Sequence, residues 1–194
     1  MVKFKGQNAM KQYIKNKPVK WGFKLWCRCD SETGYLYQFD IYTGKKTNPE
    51  RGLGEGIILQ MTENLGGKGI QFYFDNFFNS PLLQTEMLEK QLMACGTVRS
   101  ERKEMPKCLK SDKEMSRGDI DFASTDKGVS CVKWMDNRSV LMISNFISPL
   151  GKVTVERRQK GSNEKVKIDC PKMVNEYNKY MGGVDLMDQK KSDL

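Results

Sequence analysis

The sequence predicts an α/β fold, a mixed sheet with flanking helices, and three observations carry that assignment. Segments with period-two apolar alternation and segments with apolar residues at helical spacing follow one another along the 194 residues. Their order is strand, strand, helix, strand, helix, strand, followed by extra strands and a closing helix. At the centre stands the run from Gly69 to Pro81. Ile70 to Phe74 has the aromatic bulk of a mostly buried strand, and Asp75-Asn76 ends it. Ser80-Pro81 then has the chemistry of a helix N-cap with proline at the first helical position. Finally, an apolar share of 38% allows a real core in a chain of single-domain length, while a mean hydropathy of −0.63 leaves much of it as solvated surface.

Taken in order, Met1 to Lys20 is basic, is broken by Gly6 and Pro18, and reads as loop with one short strand at most. Trp21, Phe23, Leu25, Cys27 and Cys29 alternate on one face and predict a strand over 21–29. Asp30 to Gly34 is a polar turn, and the aromatic-rich Tyr35 to Tyr42 is its hairpin partner. Thr43 to Gly54, with Gly44, Pro49 and Gly52, is loop. Ile57, Ile58, Met61 and Leu65 share one helical face, and Gly66-Gly67 stops that helix. After the strand to Asp75, a helix runs from Ser80 to about Leu92, its apolar residues spread widely round the axis. Met93 to Arg99 is the next strand. Ser100 to Gly118 is charged, proline-interrupted and expected to be a long loop or insertion. Short strands are predicted at Ile120–Ser124, Val129–Met135 and Ser139–Ser144. Pro149 to Lys167 reads as a basic linker, and Pro171 opens the final helix.

Charge is distributed unevenly. The net charge is +9, and residues 1–29 carry Lys3, Lys5, Lys11, Lys15, Lys17, Lys20, Lys24 and Arg28 without one acid. A second basic stretch, from Lys152 to Lys172, includes Arg157, Arg158 and Lys160. One-sided positive charge points to a polyanion, nucleic acid before others; a basic face kept for solubility is the plainer alternative. Six scattered cysteines, no C-x-x-C spacing and no histidine exclude the familiar Cys/His zinc patterns and any histidine base. Cys27 and Cys29, two apart on a strand, are packing residues rather than ligands, and without a secretory signal the thiols are expected reduced, inside a cell. No apolar run approaches the length of a membrane span, so no membrane partner is expected.

The carboxylates supply the candidate chemistry. Asp75 sits where a central strand stops and a helix is about to begin, the place where ligands gather in open α/β sheets; alternatively it caps a turn. On the last helix Met173, Tyr177, Tyr180 and Val184 form an apolar stripe, with Met181, Asp185 and Asp188 on a neighbouring face. Gly182-Gly183 precedes the acids, and glycine in a helix interior costs about 1 kcal/mol against alanine. Either close approach of another segment requires that bare backbone, or the helix stops at Met181 and the acids are solvated. If Asp75 and Asp185 converge, the oxygen-only donors suit hard cations such as Mg²⁺, which can drive phosphodiester chemistry without histidine. The basic flanks would then contact the nucleic-acid backbone.

Three stretches resemble a known family. Phe74-Asp75-Asn76-Phe77-Phe78, Gly96-Thr97-Val98-Arg99 and the long run from Tyr177 to Gln189 are closely similar to the piggyBac transposases and their domesticated derivatives. The likeness extends over essentially the whole chain, including Val2-Lys3-Phe4-Lys5-Gly6 and Asn16-Lys17-Pro18. It implies a ribonuclease H-like core over 1–194, incomplete at its first strand and carrying an inserted group of short strands. Residues 100–168 would be the insertion and basic linker, and 169–194 the closing helix with the third acidic motif. The resemblance also implies DNA cleavage and strand transfer with Mg²⁺, in a nucleus, by a homodimer. On the matching positions Asp75 is the second catalytic acid, Asp185 the third and Asp188 an additional metal carboxylate. Lys3, Lys5, Lys17, Lys20, Arg99, Arg157 and Arg158 are the expected DNA contacts. The family's first catalytic Asp lies just upstream of the motif at which this sequence begins, and Gln7 stands where the family has arginine. The family's N-terminal DNA-binding domain and its C-terminal cysteine-rich zinc module are also missing. The expectation is therefore a catalytically incomplete domain, either truncated or a decayed copy, with a non-enzymatic basic DNA-binding or interaction module as the alternative.

Overall fold

In chain order, strands β1 (Val2–Lys3), β2 (Gln12–Tyr13), β3 (Trp21–Phe23), β4 (Leu25–Cys29) and β5 (Leu36–Ile41) precede helix α1 (Leu53–Met61). Strand β6 (Gln71–Phe74), helix α2 (Pro81–Glu89) and strand β7 (Met93–Thr97) follow. Next come β8 (Ile120–Ser124), β9 (Ser130–Met135), β10 (Ser139–Ser144), β11 (Lys152–Arg158) and β12 (Lys165–Pro171), then helices α3 (Lys172–Tyr180) and α4 (Gly183–Ser192). This computed structural model describes residues 1–44, 51–159, 161 and 163–192; Pro49 of the predicted loop and Lys160 of the basic stretch lie outside them. The chain divides into two units, residues 1–57 with 182–194, and residues 58–181. Among the described residues no helix is long and apolar enough to cross a membrane.

The unit of residues 58–181 is built on a five-stranded mixed sheet ordered β6-β7-β10-β9-β8. Strands β6 and β7 are parallel, joined through α2, and the other neighbours are antiparallel. Helix α2 starts as its sequence requires: Ser80 Oγ accepts from Leu83 N at 3.1 Å, and Pro81 occupies the first turn. Period-two alternation then sorts the sheet's side chains. Phe74 and Ala94 face Leu83 and Met87 of α2, while Cys95, Val132, Trp134 and Met142 face Met173, Val174 and Tyr177 of α3. The sheet is therefore covered by a helix on each side.

Buried amides lock these layers. Asn145 Oδ1 accepts from Ala94 N at 2.8 Å, and its Nδ2 donates to Leu92 O at 2.9 Å and Gln84 O at 3.2 Å. Asn79 Nδ2 donates to Thr97 O and its Oδ1 accepts from Gln84 Nε2, both at 3.0 Å. Gly96 lies between: a Cβ there would collide with Phe74 O and come within 3.0 Å of Asn79 Nδ2.

In the unit of residues 1–57 with 182–194, β1, β3 and β2 form one small antiparallel sheet, and β4 pairs with β5 as the predicted hairpin. Asp30 shapes the turn between them, its Oδ1 accepting from Glu32 N (3.1 Å), Thr33 N (2.7 Å) and Thr33 Oγ1 (2.8 Å). Gly34 completes the turn at φ 70°.

Three expectations change. The predicted strand over 21–29 is two strands in different sheets, so the single face from Trp21 to Cys29 does not exist; Trp26 is buried at 7% exposure while Trp21 is 54% exposed. The predicted basic linker of residues 149–167 is instead occupied by the β11–β12 hairpin. There Val153, Val155 and Ile168 alternate toward the core while Lys152, Thr154 and Arg158 face solvent. Its charge density obscures a period-two pattern that is present in the residues. Finally, the closing helix breaks at Met181-Gly182 into α3 and α4, so the two open readings of the glycines are each half right.

Candidate metal and DNA site

Asp75 is the first residue after β6, exposed, at the carboxyl end of the sheet's parallel pair. One of its oxygens, Oδ1, accepts from Phe77 N at 2.8 Å, closing the turn that aims the chain toward α2. The turn is braced from outside. Arg99 Nε donates to Asn76 Oδ1 at 3.1 Å, and one terminal nitrogen of Arg102 donates to Asn76 O at 3.0 Å and Phe77 O at 2.7 Å. Arg99, expected on DNA from its motif, thus also holds the loop that carries Asp75. Arg102 has no signal in the sequence beyond a charged loop.

Beneath the loop, Tyr177 of α3 is 6% exposed and hydrogen-bonded to Thr97. Burial pushes its phenol up, the Thr97 bond opposes that, and the Asp75 charge adds to it. The neutral hydroxyl therefore sits within electrical reach of the Asp75 carboxylate. In the sequence Tyr177 stands in an apolar stripe and opens the Tyr177–Gln189 motif, and neither points to its contact with Thr97. Tyr180 stacks on Tyr73 of β6 with ring centroids 5.2 Å apart, which seats α3 against the strand ending at Asp75.

Asp185 and Asp188 lie one turn apart on α4, both exposed, with Asp185 in the first turn, where the helix dipole favours an anion. Gly183 is bare for a definite reason: a Cβ there would lie 2.6 Å from Asp30 O, so only glycine lets α4 start against the β4–β5 turn. Lys190 Nζ donates to Thr33 O at 2.8 Å and ties the helix to that turn. Asp188 faces the strand thiols. Burial first, then the neighbouring Cys27 and the Asp188 charge, push the Cys29 thiol up to about 11. Among the described residues, neither Cys27 nor Cys29 forms a disulfide.

Asp185 and Asp188 thus stand together in one unit, and Asp75 belongs to the other. Among the described residues no group of three His, Cys, Asp or Glu side chains forms a ready metal cage. The donors are nonetheless of one kind, exposed carboxylates, and oxygen-only donors suit a hard divalent cation.

The expected DNA contacts divide into two groups. Lys3, Lys5, Lys17, Lys20, Arg99 and Arg158 are exposed. Arg157 is engaged within the fold: its Nε lies 3.4 Å from Asp136 Oδ2, and its guanidinium sits over Trp134, 5.7 Å from the ring centre.

Comparison with known proteins accounts for this combination. The family model described as Transposase IS4 matches residues 1–193. The human PiggyBac transposable element-derived protein 3 is 34% identical over 200 residues, covering 97% of this chain and 33% of that protein. The human PiggyBac transposable element-derived protein 2 is 30% identical over the same shares. Among solved structures, the chain is similar to the piggyBac transposase in a cryo-EM structure of its synaptic complex with hairpin DNA. The TM-score is 0.78 at 30% identity, over 97% of this chain and 38% of that one. The chain spans about a third of the length of the human relatives it matches. This chain belongs to the piggyBac-type transposase family, as a domain derived from such a transposase.

Proposed function

We propose that residues 1–194 are the ribonuclease H-like catalytic-core portion of a DNA transposase, in which Asp75, Asp185 and Asp188 hold a divalent cation, Mg²⁺ in the cell. The observation that carries the reading is the placement of Asp75 in a braced turn at the end of a parallel β6–α2–β7 unit. The family membership stands beside it. The cation would supply Lewis-acid stabilisation of the phosphodiester oxygens. The chain's own residues do the rest. Arg99 and Arg102 fix the Asp75 turn, α4 presents Asp185 and Asp188, and Lys3, Lys5, Lys17, Lys20 and Arg158 neutralise phosphates. The position that the resemblance gives to the family's first catalytic acid lies outside residues 1–194. Residues 1–194 alone are therefore expected to bind DNA in the nucleus, where DNA is its substrate, without cutting or joining it. Pairing of two copies on transposon ends, as in a synaptic complex, belongs to the same reading.

Iron-mediated cleavage tests the shared site. Fe²⁺ with ascorbate and peroxide cuts backbone beside bound metal, so cuts are expected near both Asp75 and Asp185, and both should vanish in Asp75→Ala. Cuts near one acid only would overturn the shared site. In parallel, a terminal-repeat hairpin substrate incubated with residues 1–194 and Mg²⁺ or Mn²⁺ should remain intact. Cleavage that disappears in Asp75→Ala would show that these residues suffice for catalysis. The non-enzymatic reading is favoured by one observation: the turn bond from Phe77 N already engages one Asp75 oxygen. It predicts DNA binding with no metal-dependent cuts near any of the three acids.

A further inference from the structure

The small β1-β3-β2 sheet carries a feature that phosphate neutralisation does not explain. A cavity of about 460 Å³ opens there, lined by Phe4, Pro18, Val19 and Trp21 together with Lys3, Lys5, Lys11 and Lys20. Trp21 is 54% exposed although it begins a strand, and Tyr13 opposite it on β2 is 51% exposed. Their ring centroids are 4.8 Å apart. Lys11 is fixed in place: its Nζ donates to Gly6 O at 3.0 Å and Lys5 O at 3.4 Å, and it stands 5.3 Å from the centre of the Trp21 ring. No acid occurs anywhere in residues 1–29 to neutralise these ammonium groups.

Large rings left in water at a basic concavity cost hydration free energy unless something covers them. The cavity is of ligand-site size. Its chemistry is that of single-strand recognition, in which a base stacks on an aromatic face while adjacent cations take the flanking phosphates. A duplex presents its base faces to one another and offers a platform of this kind nothing to stack on. We propose that the Trp21–Lys11 cleft is a binding subsite for one unpaired base of single-stranded DNA, with Lys3, Lys5 and Lys20 on the phosphates either side. This rests on the reading that the chain binds DNA, and adds to it a strand state and a residue that reads it.

Tryptophan fluorescence provides the test, because Trp26 and Trp134 are buried at 7% and 2% exposure and Trp21 is the exposed indole of the three. Titration of residues 1–194 with a twelve-nucleotide oligo-dT should quench the emission saturably, and a duplex of equal length should bind with little quenching. In anisotropy with labelled DNA, Trp21→Ala should weaken oligo-dT binding about tenfold and leave duplex affinity within about twofold. Trp21→Phe, which keeps a stacking face and preserves packing, should retain most of the oligo-dT affinity. Oligo-dT binding without quenching, or equal losses for both DNA forms in Trp21→Ala, would overturn the subsite and leave general DNA binding standing. Failure of both DNA forms to bind would overturn the underlying reading as well.

Discussion

At the residue scale, the side chains that fix the candidate site are mostly buried amides. Asn145 satisfies Ala94 N, Leu92 O and Gln84 O at once, at the β7 edge of the α2 layer. An unsatisfied buried backbone group costs about 1–3 kcal/mol, so Asn145→Ala should lose roughly 2–4 kcal/mol of stability, read as a lower urea midpoint at unchanged slope. Gly96→Ala should cost about 1–3 kcal/mol, because the new methyl meets Phe74 O and Asn79 in a strand already in register. Asn145 does not announce itself in the sequence, and Gly96 stands out only through the Gly96–Arg99 motif. Asp75 announces itself, because a strand's end and a helix N-cap bracket it within a few residues. Asn145 reaches Ala94 51 positions away and Asn79 reaches Thr97 18 positions away, and no local pattern carries such pairings.

At the scale of elements, local chemistry was legible wherever periodicity and punctuation agreed. Strands β8 and β10 have the predicted bounds, and α2 has the predicted cap. The β11–β12 hairpin was not legible, since its exposed face is so charged that it reads as linker. Its two adjacent arginines now separate by role. Arg157 joins Arg117 on Asp136 (3.4 Å and 2.9 Å) and covers Trp134, whose Nε1 donates to Asp169 O of β12. Arg158 faces solvent. Arg157→Ala should therefore lower the thermal midpoint by several degrees, as loss of packing and of one partner of a shared carboxylate does. Arg158→Ala should leave the midpoint unchanged and reduce the slope of log affinity for duplex DNA against log salt by about 1. Thermal melts and salt titrations of the two variants check both outcomes. The break between α3 and α4 was half legible. Gly182-Gly183 marked a place needing bare backbone, but the segment that approaches it, the carbonyl of Asp30, lies in a turn about 150 residues earlier in the chain.

Across the whole molecule, two titrations oppose each other as pH rises. The net charge of +9 declines toward neutrality near pH 9.2, which relieves self-repulsion and favours the folded state. The thiols act in the other direction. Burial pushes Cys95 and Cys131 up to about 12 and Cys170 up to about 11, with Cys29 also at about 11, all from 9.0; the Tyr177 phenol is raised from 10.0. A raised folded value means that the native state holds its proton longer than the unfolded chain. The contribution is thus complete below pH 9 and is lost as pH climbs through 9 toward 11–12. Stability should be level or rising from pH 6 to about pH 9 and should then fall steeply. The measurement is the urea midpoint at intervals from pH 6 to pH 10.5 under reducing conditions. Cys95→Ala should show a shallower alkaline fall because one buried ionisation is removed. Cys108→Ser, at an exposed thiol, should follow the parent curve. A midpoint that stays level to pH 10.5 would mean that the thiols ionise as easily in the folded chain as in the unfolded one, and that the sheet around Cys95 and Cys131 opens to water.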